Sequence, residues 1–414
     1  IECQTADYIS KGMDEETAEE QALKDMGDPV FIGTQLDQVH RPRPAWGILA
    51  LIIALSIMST CLWDYAGMRN LMPTLIGLAV MVLIYLLDYS FLAGKGRWFA
   101  GMFLAFYILV ALCFPYSVRG KMGWFGIGRW HFSLEQLAYL YLPLYGAVLY
   151  DYRKEAYGGV GKCILWALPM PFLLLRLPDT SDALWIFLSC MVLLSVAVVR
   201  GGVQVKGKRV LAGIWGTMIA AVSGIFAVIM QPGQNTFRDF QKARIMAFLN
   251  GAPNYMQEAA EKLLNSSRLF GAGNAAGQLD EQIAYASYDL ATMRSDFAIS
   301  LLSARCGKVV VAAAVALLAV LIVAAFVTAL RQPNELGAMI GCSVGIALGI
   351  QSVVYLLNHF GWVPYTSGYL PLLSYGGSGA VVSYALLGLV LSVYRYRDIP
   401  MRKDKKAGHR GIPA

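Results

Sequence analysis

Asp296, in the run MRSDFAISLL, sits where a polar stretch gives way to a long apolar one. An ionisable side chain at the edge of an apolar helix is costly and marks a functional site by default. Its residue type leaves two readings open. The carboxylate can take a proton from a hydroxyl nucleophile, or Ser295 or Asp296 can cap the helix that follows. Glu135, in HFSLEQLAYL, opens a second apolar stretch in the same way. Arg244, in FRDFQKARIMAFLN, has Arg238 and Lys242 beside it. Arginine grips phosphate through a two-pronged fork. A carboxylate and several cations facing one cavity therefore suit an anionic, phosphate-bearing substrate. A further string, Ser374, Tyr375, Gly376, Gly377 and Ser378, lies at the mouth of the last apolar stretch. Small and hydroxyl-bearing residues serve helix packing in lipid, and glycine lets a helix end come close to a substrate.

These residues must be positioned by membrane helices. Of the 414 residues, 57% are hydrophobic and 15% charged, against about 25% charged in a soluble domain. A spanning helix needs about 20 mainly apolar residues. Ten stretches qualify: 46–63, 71–93, 98–116, 133–150, 160–177, 182–199, 209–230, 296–329, 335–358 and 369–394. The eighth is longer than one span needs, so its first turns are expected to line a cavity. The composition therefore predicts an all-α integral membrane protein of about ten transmembrane helices. A large extracellular loop, 231–295, separates the seventh from the eighth. The seven cysteines show no CxxC pairing and mostly lie in apolar runs, which reads as buried thiols. There is no Gly-rich phosphate loop, no HExxH and no GxSxG elbow. His40, His131, His359 and His409 are too scattered to suggest a metal cluster.

Lysine and arginine are distributed unevenly among the loops. One set of connections holds Lys95, Arg97, Arg153, Lys154, Lys162, Arg200, Lys206, Lys208, Arg209 and Arg331. The basic tail at 398–414 adds Arg402, Lys403, Lys405, Lys406 and Arg410 on the same side. The alternate short loops hold Arg69, Arg119, Lys121, Arg129 and Arg176. The asymmetry places both termini in the cytoplasm, and the tail cluster suits anionic lipid or a stop-transfer anchor. Residues 1–44 are acidic and helical in pattern, with Asp14 as N-cap and Gly27 as stop. They resemble the short helical prefix ahead of some permease-like proteins of Gram-positive bacteria, and also suit a simple cytoplasmic cap. The start at Ile1, with no Met and no basic leader, reads as a piece of a longer protein without a cleavable signal. Within 231–295, NYMQEAAEKLLNSS and DEQIAYASYDLATM have the apolar spacing of amphipathic helices.

NHFGWVPYTSGYLPLLSYGGSG, residues 358–379, closely resembles the C-terminal signature of the SEDS family, the FtsW, RodA and SpoVE proteins. Asn358, Gly361, Pro364, Gly368, Leu370, Pro371 and Ser374 to Ser378 match in order and spacing. RDFQKARIMAFLN is similar to a family run in which Gln241 and Arg244 match and Asn250 replaces an Asp. SRLFGAG keeps two family glycines, Gly271 and Gly273. RSDF is similar to the family's Thr-Asp-Phe, and GWFGIGRWHFSLEQL resembles a shortened Arg-Trp…Pro-Ser-Glu segment carrying Glu135. The resemblance covers about residues 50–397. It departs where members usually carry a Glu-Glu pair, here Ala304 and Arg305, and at Asn265 to Arg268 in place of a Gly-Ser-Gly-Gly string.

The resemblance implies a peptidoglycan glycosyltransferase in a bacterial cytoplasmic membrane, polymerising lipid II in division, elongation or sporulation. It makes Asp296 the catalytic base. It places Arg244, with Lys242 or Arg238, at the undecaprenyl diphosphate leaving group. Glu135 and the 374–378 string become substrate-facing. It implies no bound cofactor, leaves room for a divalent cation at the diphosphate, and makes a class B penicillin-binding protein of the divisome or elongasome the partner. No nucleic-acid partner is expected. Two alternatives stay open: a lipid II transporter, and a non-catalytic scaffold, which Ala304 and Arg305 suggest.

Overall fold

The computed structural model describes residues 2–26, 31, 34, 44–113, 115–118, 121–127, 130–177, 180–201, 207–231, 236–251, 255–273 and 292–397. The chain divides into two units, one of residues 1–43 with 395–414 and one of Pro44–Tyr394. In the first, α1 (Glu2–Ser10) and α2 (Glu15–Met26) pack on each other with Ala18 and Ala22 fully buried. The Tyr8 hydroxyl bonds Asp25 across the pair. Asp14 precedes α2, and its carboxylate accepts from the Thr17 hydroxyl, which holds it below the usual carboxylate range.

The second unit is a helical bundle. Among the described residues eight helices are long and apolar enough to cross a membrane. They are α3 (Trp46–Tyr65), α5 (Gly96–Cys113), the kinked pair α8–α9 (Ala156–Ala167 and Pro169–Arg176), α10 (Thr180–Val199), α11 (Gly207–Met230), α15 (Lys308–Leu330), α16 (Glu335–His359) and α17 (Gly377–Arg395). α4 (Leu71–Leu86) is apolar but shorter. The remaining expected stretch, 133–150, is the pair α6 (Leu134–Ala138) and α7 (Tyr141–Tyr152). Pro143 has no N–H to offer the Tyr139 carbonyl, which accounts for the break between them. This is an all-α integral membrane protein. α10, α16 and α17 form its most enclosed part, whereas α11 leaves Ile219, Phe226 and Val228 exposed, as a lipid-facing helix does.

Several expected boundaries move, and the helix expected over 71–93 ends at Leu86. Three strands, β1 (Pro115–Val118), β2 (Lys121–Ile127) and β3 (Trp130–Ser133), pair in that order into a small antiparallel sheet. The helix expected over 98–116 therefore ends at Cys113. Phe125 and Phe132 are cross-strand partners with stacked rings 5.3 Å apart, the kind of aromatic pair that stabilises such ladders. The expected stretch 296–329 divides at Gly307 into α14 (Ala298–Cys306) and α15. The last helix starts at Gly377 rather than 369, because Pro371 and a left-handed Leu372 (φ 62°) keep 369–376 irregular. Between α11 and α14 lie α12 (Thr236–Leu249) and α13 (Tyr255–Ser266). α13 realises the first expected amphipathic helix. The second, 280–293, lies outside the described residues except at 292 and 293.

One end of the bundle is closed by Arg153 on Glu335 (2.8 Å) and by Arg200 donating to the Leu330 carbonyl (2.6 Å). Asn334 caps α16 there, accepting from the Leu336 N–H at 3.0 Å. The candidate site lies at the opposite end of α16.

Candidate active site

Asp296 closes a helical turn, 292–295, by donating its N–H to the Thr292 carbonyl (2.8 Å). α14 begins two residues later, with Phe297 at the cap position and no side-chain cap bond. The capping reading of Asp296 is therefore not what its side chain does. The Ile299 N–H, an orphan donor of the first turn, is met instead by the Tyr355 hydroxyl of α16 (3.2 Å). Asp296 is buried, 6% exposed as a residue. Its Oδ1 accepts from the Ser295 hydroxyl (2.6 Å) and its Oδ2 from the Tyr365 hydroxyl (2.9 Å). A buried carboxylate met by hydroxyl donors remains affordable as an anion.

The 374–378 string braces this turn. The Ser374 hydroxyl accepts from the Leu370 N–H (2.9 Å) and donates to the Ser295 carbonyl (2.6 Å). The Tyr375 N–H donates to the Arg294 carbonyl (3.0 Å). Two consecutive residues thus hold the two carbonyls just before Asp296. The Tyr375 ring packs edge-on against Trp63 (5.3 Å), and the Arg294 guanidinium lies over it (5.5 Å). Trp63 is fully buried and donates to the Leu373 carbonyl (2.8 Å), while Ser59 donates to that of Leu372 (2.6 Å). Gly376 offers its carbonyl to the Tyr369 hydroxyl at 3.5 Å. Gly377 opens α17, and Ser378 is buried in its first turn. Gly379 is needed for space, since a Cβ there would lie 2.4 Å from the Tyr369 ring.

Glu135 is buried in the first turn of α6, behind the Ser133 N-cap, and its Oε2 accepts from the Ser367 hydroxyl (3.3 Å). The segment 365–367 therefore reaches both carboxylates. It is pinned between them by the Thr366 N–H, which donates to Asn358 Oδ1 (3.0 Å). The Asn358 carbonyl in turn accepts from Gln257 of α13 (3.0 Å), which brings that helix over the same end of α16.

The expected cations are placed differently. Arg244 donates to Gln241 Oε1 (3.2 Å), which also accepts from Thr180 (3.1 Å), so Arg244 stands on the α10–α12 side. Lys242 is exposed, and the side chain of Arg238 lies outside the described residues. The cation on the Asp296 turn itself is Arg294, which sequence reasoning left out although it is two residues away. Tyr365 was also missed, as was Asp182. Asp182 is a buried carboxylate in the first turn of α10, and Tyr139 donates to it at 3.4 Å. It gives the same signal as Glu135, an acid opening an apolar helix. Among the described residues no group of three or more His, Cys, Asp and Glu is placed to hold a metal ion.

The Bacillus subtilis probable peptidoglycan glycosyltransferase FtsW is 25% identical over 356 residues, which cover 83% of this chain and 84% of that protein. A protein of the same description from Idiomarina loihiensis is 24% identical over 73% of this chain and 71% of its own length. Among solved structures, a chain from a peptidoglycan synthase complex studied for its coordination of polymerization and crosslinking has a TM-score of 0.66 at 23% identity. It covers 86% of this chain and 98% of its own. The Thermus thermophilus rod-shape-determining protein RodA gives 0.56 at 24% identity, over 86% and 97%. Both structural likenesses show the fold. The model of the cell cycle protein family FtsW/RodA/SpoVE matches residues 45–399, the whole helical bundle, and the chain belongs to that family.

Proposed function

We propose that this chain is a peptidoglycan glycosyltransferase that polymerises lipid II. Family membership and relatives named as such enzymes support the activity. The observation that carries the site is the buried Asp296 carboxylate, held by hydroxyls on a turn that two neighbouring elements brace. In the proposed reaction Asp296 takes the proton of the attacking sugar hydroxyl. The sugar oxygen bonds to the anomeric carbon of the lipid-linked donor as the bond from that carbon to phosphate breaks. Undecaprenyl diphosphate leaves with the electron pair. Cations facing that leaving group act where charge develops; Arg294, Arg244, Lys242 and Arg238 are the candidates. Glu135 would face the bound sugars, and no bound cofactor is required. Polymerisation of labelled lipid II by the purified full chain with its partner tests the reading. Translocation without polymer would replace it with the transporter. An inert chain would favour the scaffold, since Ala304 and Arg305 bring no carboxylate to their positions.

The partner is a class B penicillin-binding protein, a proposal supported by the likeness to a chain of a synthase complex. The membrane is the bacterial plasma membrane with both termini cytoplasmic, a reading supported by the Lys and Arg asymmetry. Single cysteines at Glu258 on α13 and at Arg331 between α15 and α16, both exposed, check the orientation in a background lacking the exposed Cys61 and Cys113. An impermeant thiol reagent added to intact cells should label position 258 and spare 331. The reverse pattern inverts the topology.

If Arg244 faces the diphosphate, Arg244→Lys keeps part of the polymerisation rate and Arg244→Ala loses about a hundredfold, because Lys keeps the charge and loses the fork. Rates near the parent's in both variants would confine Arg244 to its contact with Gln241.

A further inference from the structure

We propose that Tyr365 is the positioning residue of the Asp296 carboxylate; the proposal rests on the reading of Asp296 as the base. Ser295 rides on the same turn as Asp296, so its bond to Oδ1 does not fix the carboxylate relative to the rest of the site. Tyr365 comes from a different element. Its hydroxyl donates to Oδ2 at 2.9 Å, while its ring stacks on Phe297 with centroids 6.0 Å apart and planes within 10°. Phe297 is fully buried. One side chain thus holds both the carboxylate and the residue next to it, at the start of α14.

The strap that carries Tyr365 is itself anchored. Pro364 precedes it and fixes its own φ. Thr366 is bonded to Asn358, which is fully buried in the last turn of α16, and Ser367 is bonded to Glu135. The three consecutive residues 365–367 therefore take their positions from α16 and α6. They set Asp296 against both helices. The bond from phenol to carboxylate is charge-assisted, the stronger class of hydrogen bond. The bonds from Ser295 and Tyr365 fix the direction of the base. A donor bonded to the anion also favours the ionised state that a base must be in.

Among the described residues, the charged and titratable groups around the Asp296 turn include Tyr355 from α16 and Tyr365 from the strap, with Arg294 on the turn itself and Tyr375 from the segment before α17 against it. His359 of α16 lies against the neighbouring Phe297, and Glu135 stands at the far end of the strap. Tyr365→Phe alters none of the others, and it keeps the ring on Phe297.

The experiment measures lipid II polymerisation by the purified full chain with its partner, across pH, for the parent, Asp296→Asn and Tyr365→Phe, beside thermal melts. Tyr365→Phe is expected to melt like the parent, lose about tenfold in kcat with little change in KM, and move the acid limb of its pH–rate profile up by about one pH unit. The direction follows because losing a donor to the anion makes Asp296 easier to protonate, so the base is switched off at a higher pH. A Phe variant with the parent's rate and acid limb overturns the proposal while an inactive Asp296→Asn leaves the base in place. A slower Phe variant with an unmoved acid limb makes Tyr365 structural only and also overturns it. An active Asp296→Asn, or an inert parent, removes the base and the proposal together. Should the Phe variant fold poorly, Tyr365→Gln, which keeps a donor, is compared with Tyr365→Leu. A lower acid limb for Gln supports the assignment, and equal limbs overturn it.

Discussion

Asp296→Asn should lower the rate of lipid II polymerisation by about a hundredfold or more while leaving the melting temperature of the purified protein near the parent's. The size is the usual contribution of a positioned general base. The preserved fold follows from the local bonding. Asp296 does not cap α14; Phe297 holds that position and Tyr355 supplies the donor-satisfying hydroxyl. The turn itself is held through the Arg294 and Ser295 carbonyls by Tyr375 and Ser374. None of these bonds involves the carboxylate. Asn occupies the same volume, and whichever hydroxyl meets its amide nitrogen can rotate to accept instead of donate. What Asn cannot do is take a proton at working pH. A variant that melts normally and polymerises within a few-fold of the parent would leave Asp296 a purely structural residue. One that also fails to fold would show the charge itself to be needed for the bundle.

The outline of this site was readable in the sequence because apolar length and isolated acids are one-dimensional signals. Asp296 and Glu135 announced themselves by opening apolar stretches, and both proved buried at one end of the bundle. Asp182 gave the same signal, but nothing in its spacing distinguished it from an ordinary first-turn acid. Tyr365 could not be found that way. Its importance comes from a bond across 69 residues of chain, and a Tyr after a Pro reads as a turn residue. The 374–378 string had two open meanings, close helix packing and substrate approach. The structure gives Ser374 and Tyr375 a role as braces of the Asp296 turn and makes Gly379 a matter of space for Tyr369. The sheet at 115–133 was hidden for a related reason. Its ladder depends on cross-strand pairing of Phe125 with Phe132, which helical periodicity does not report. The break at Gly307 left only a weak trace, Arg305 and Lys308 on either side of it, which equally suits the first turns of one long helix lining a cavity.

Gly307→Ala should be strongly damaging. It should lower the melting temperature sharply and polymerisation with it, while Gly271→Ala costs far less. Gly307 separates α14, which follows the Asp296 turn directly, from α15, which is long enough to cross the membrane. Its backbone has φ 99° and ψ 149°, a region that is essentially glycine's alone and costs other residues about 1–3 kcal/mol. Space adds to the cost. A Cβ would lie 2.7 Å from the Leu269 carbonyl oxygen and 2.7 Å from Phe270 Cα, both backbone atoms that cannot swing aside.

Those backbone atoms are fixed because the segment 268–273 satisfies both helix ends at the break. The Arg268 and Leu269 carbonyls accept from the Lys308 and Val309 N–H groups, orphan donors of the first turn of α15 (2.9 and 3.1 Å). The Gly271 and Gly273 N–H groups donate to the Cys306 and Ala304 carbonyls at the end of α14 (3.1 and 2.8 Å). A methyl group at 307 would push the segment away and weaken up to four backbone hydrogen bonds, each worth about 0.5–1.5 kcal/mol. Gly271 also has a positive φ, 72°, but a Cβ there meets nothing within 4 Å, so its alanine variant bears only the backbone term of about 1–2 kcal/mol. Thermal melts of the two alanine variants in the same detergent make the comparison. Equal, small shifts would mean that 268–273 can move off the break freely, and would detach the geometry of α14 from that segment.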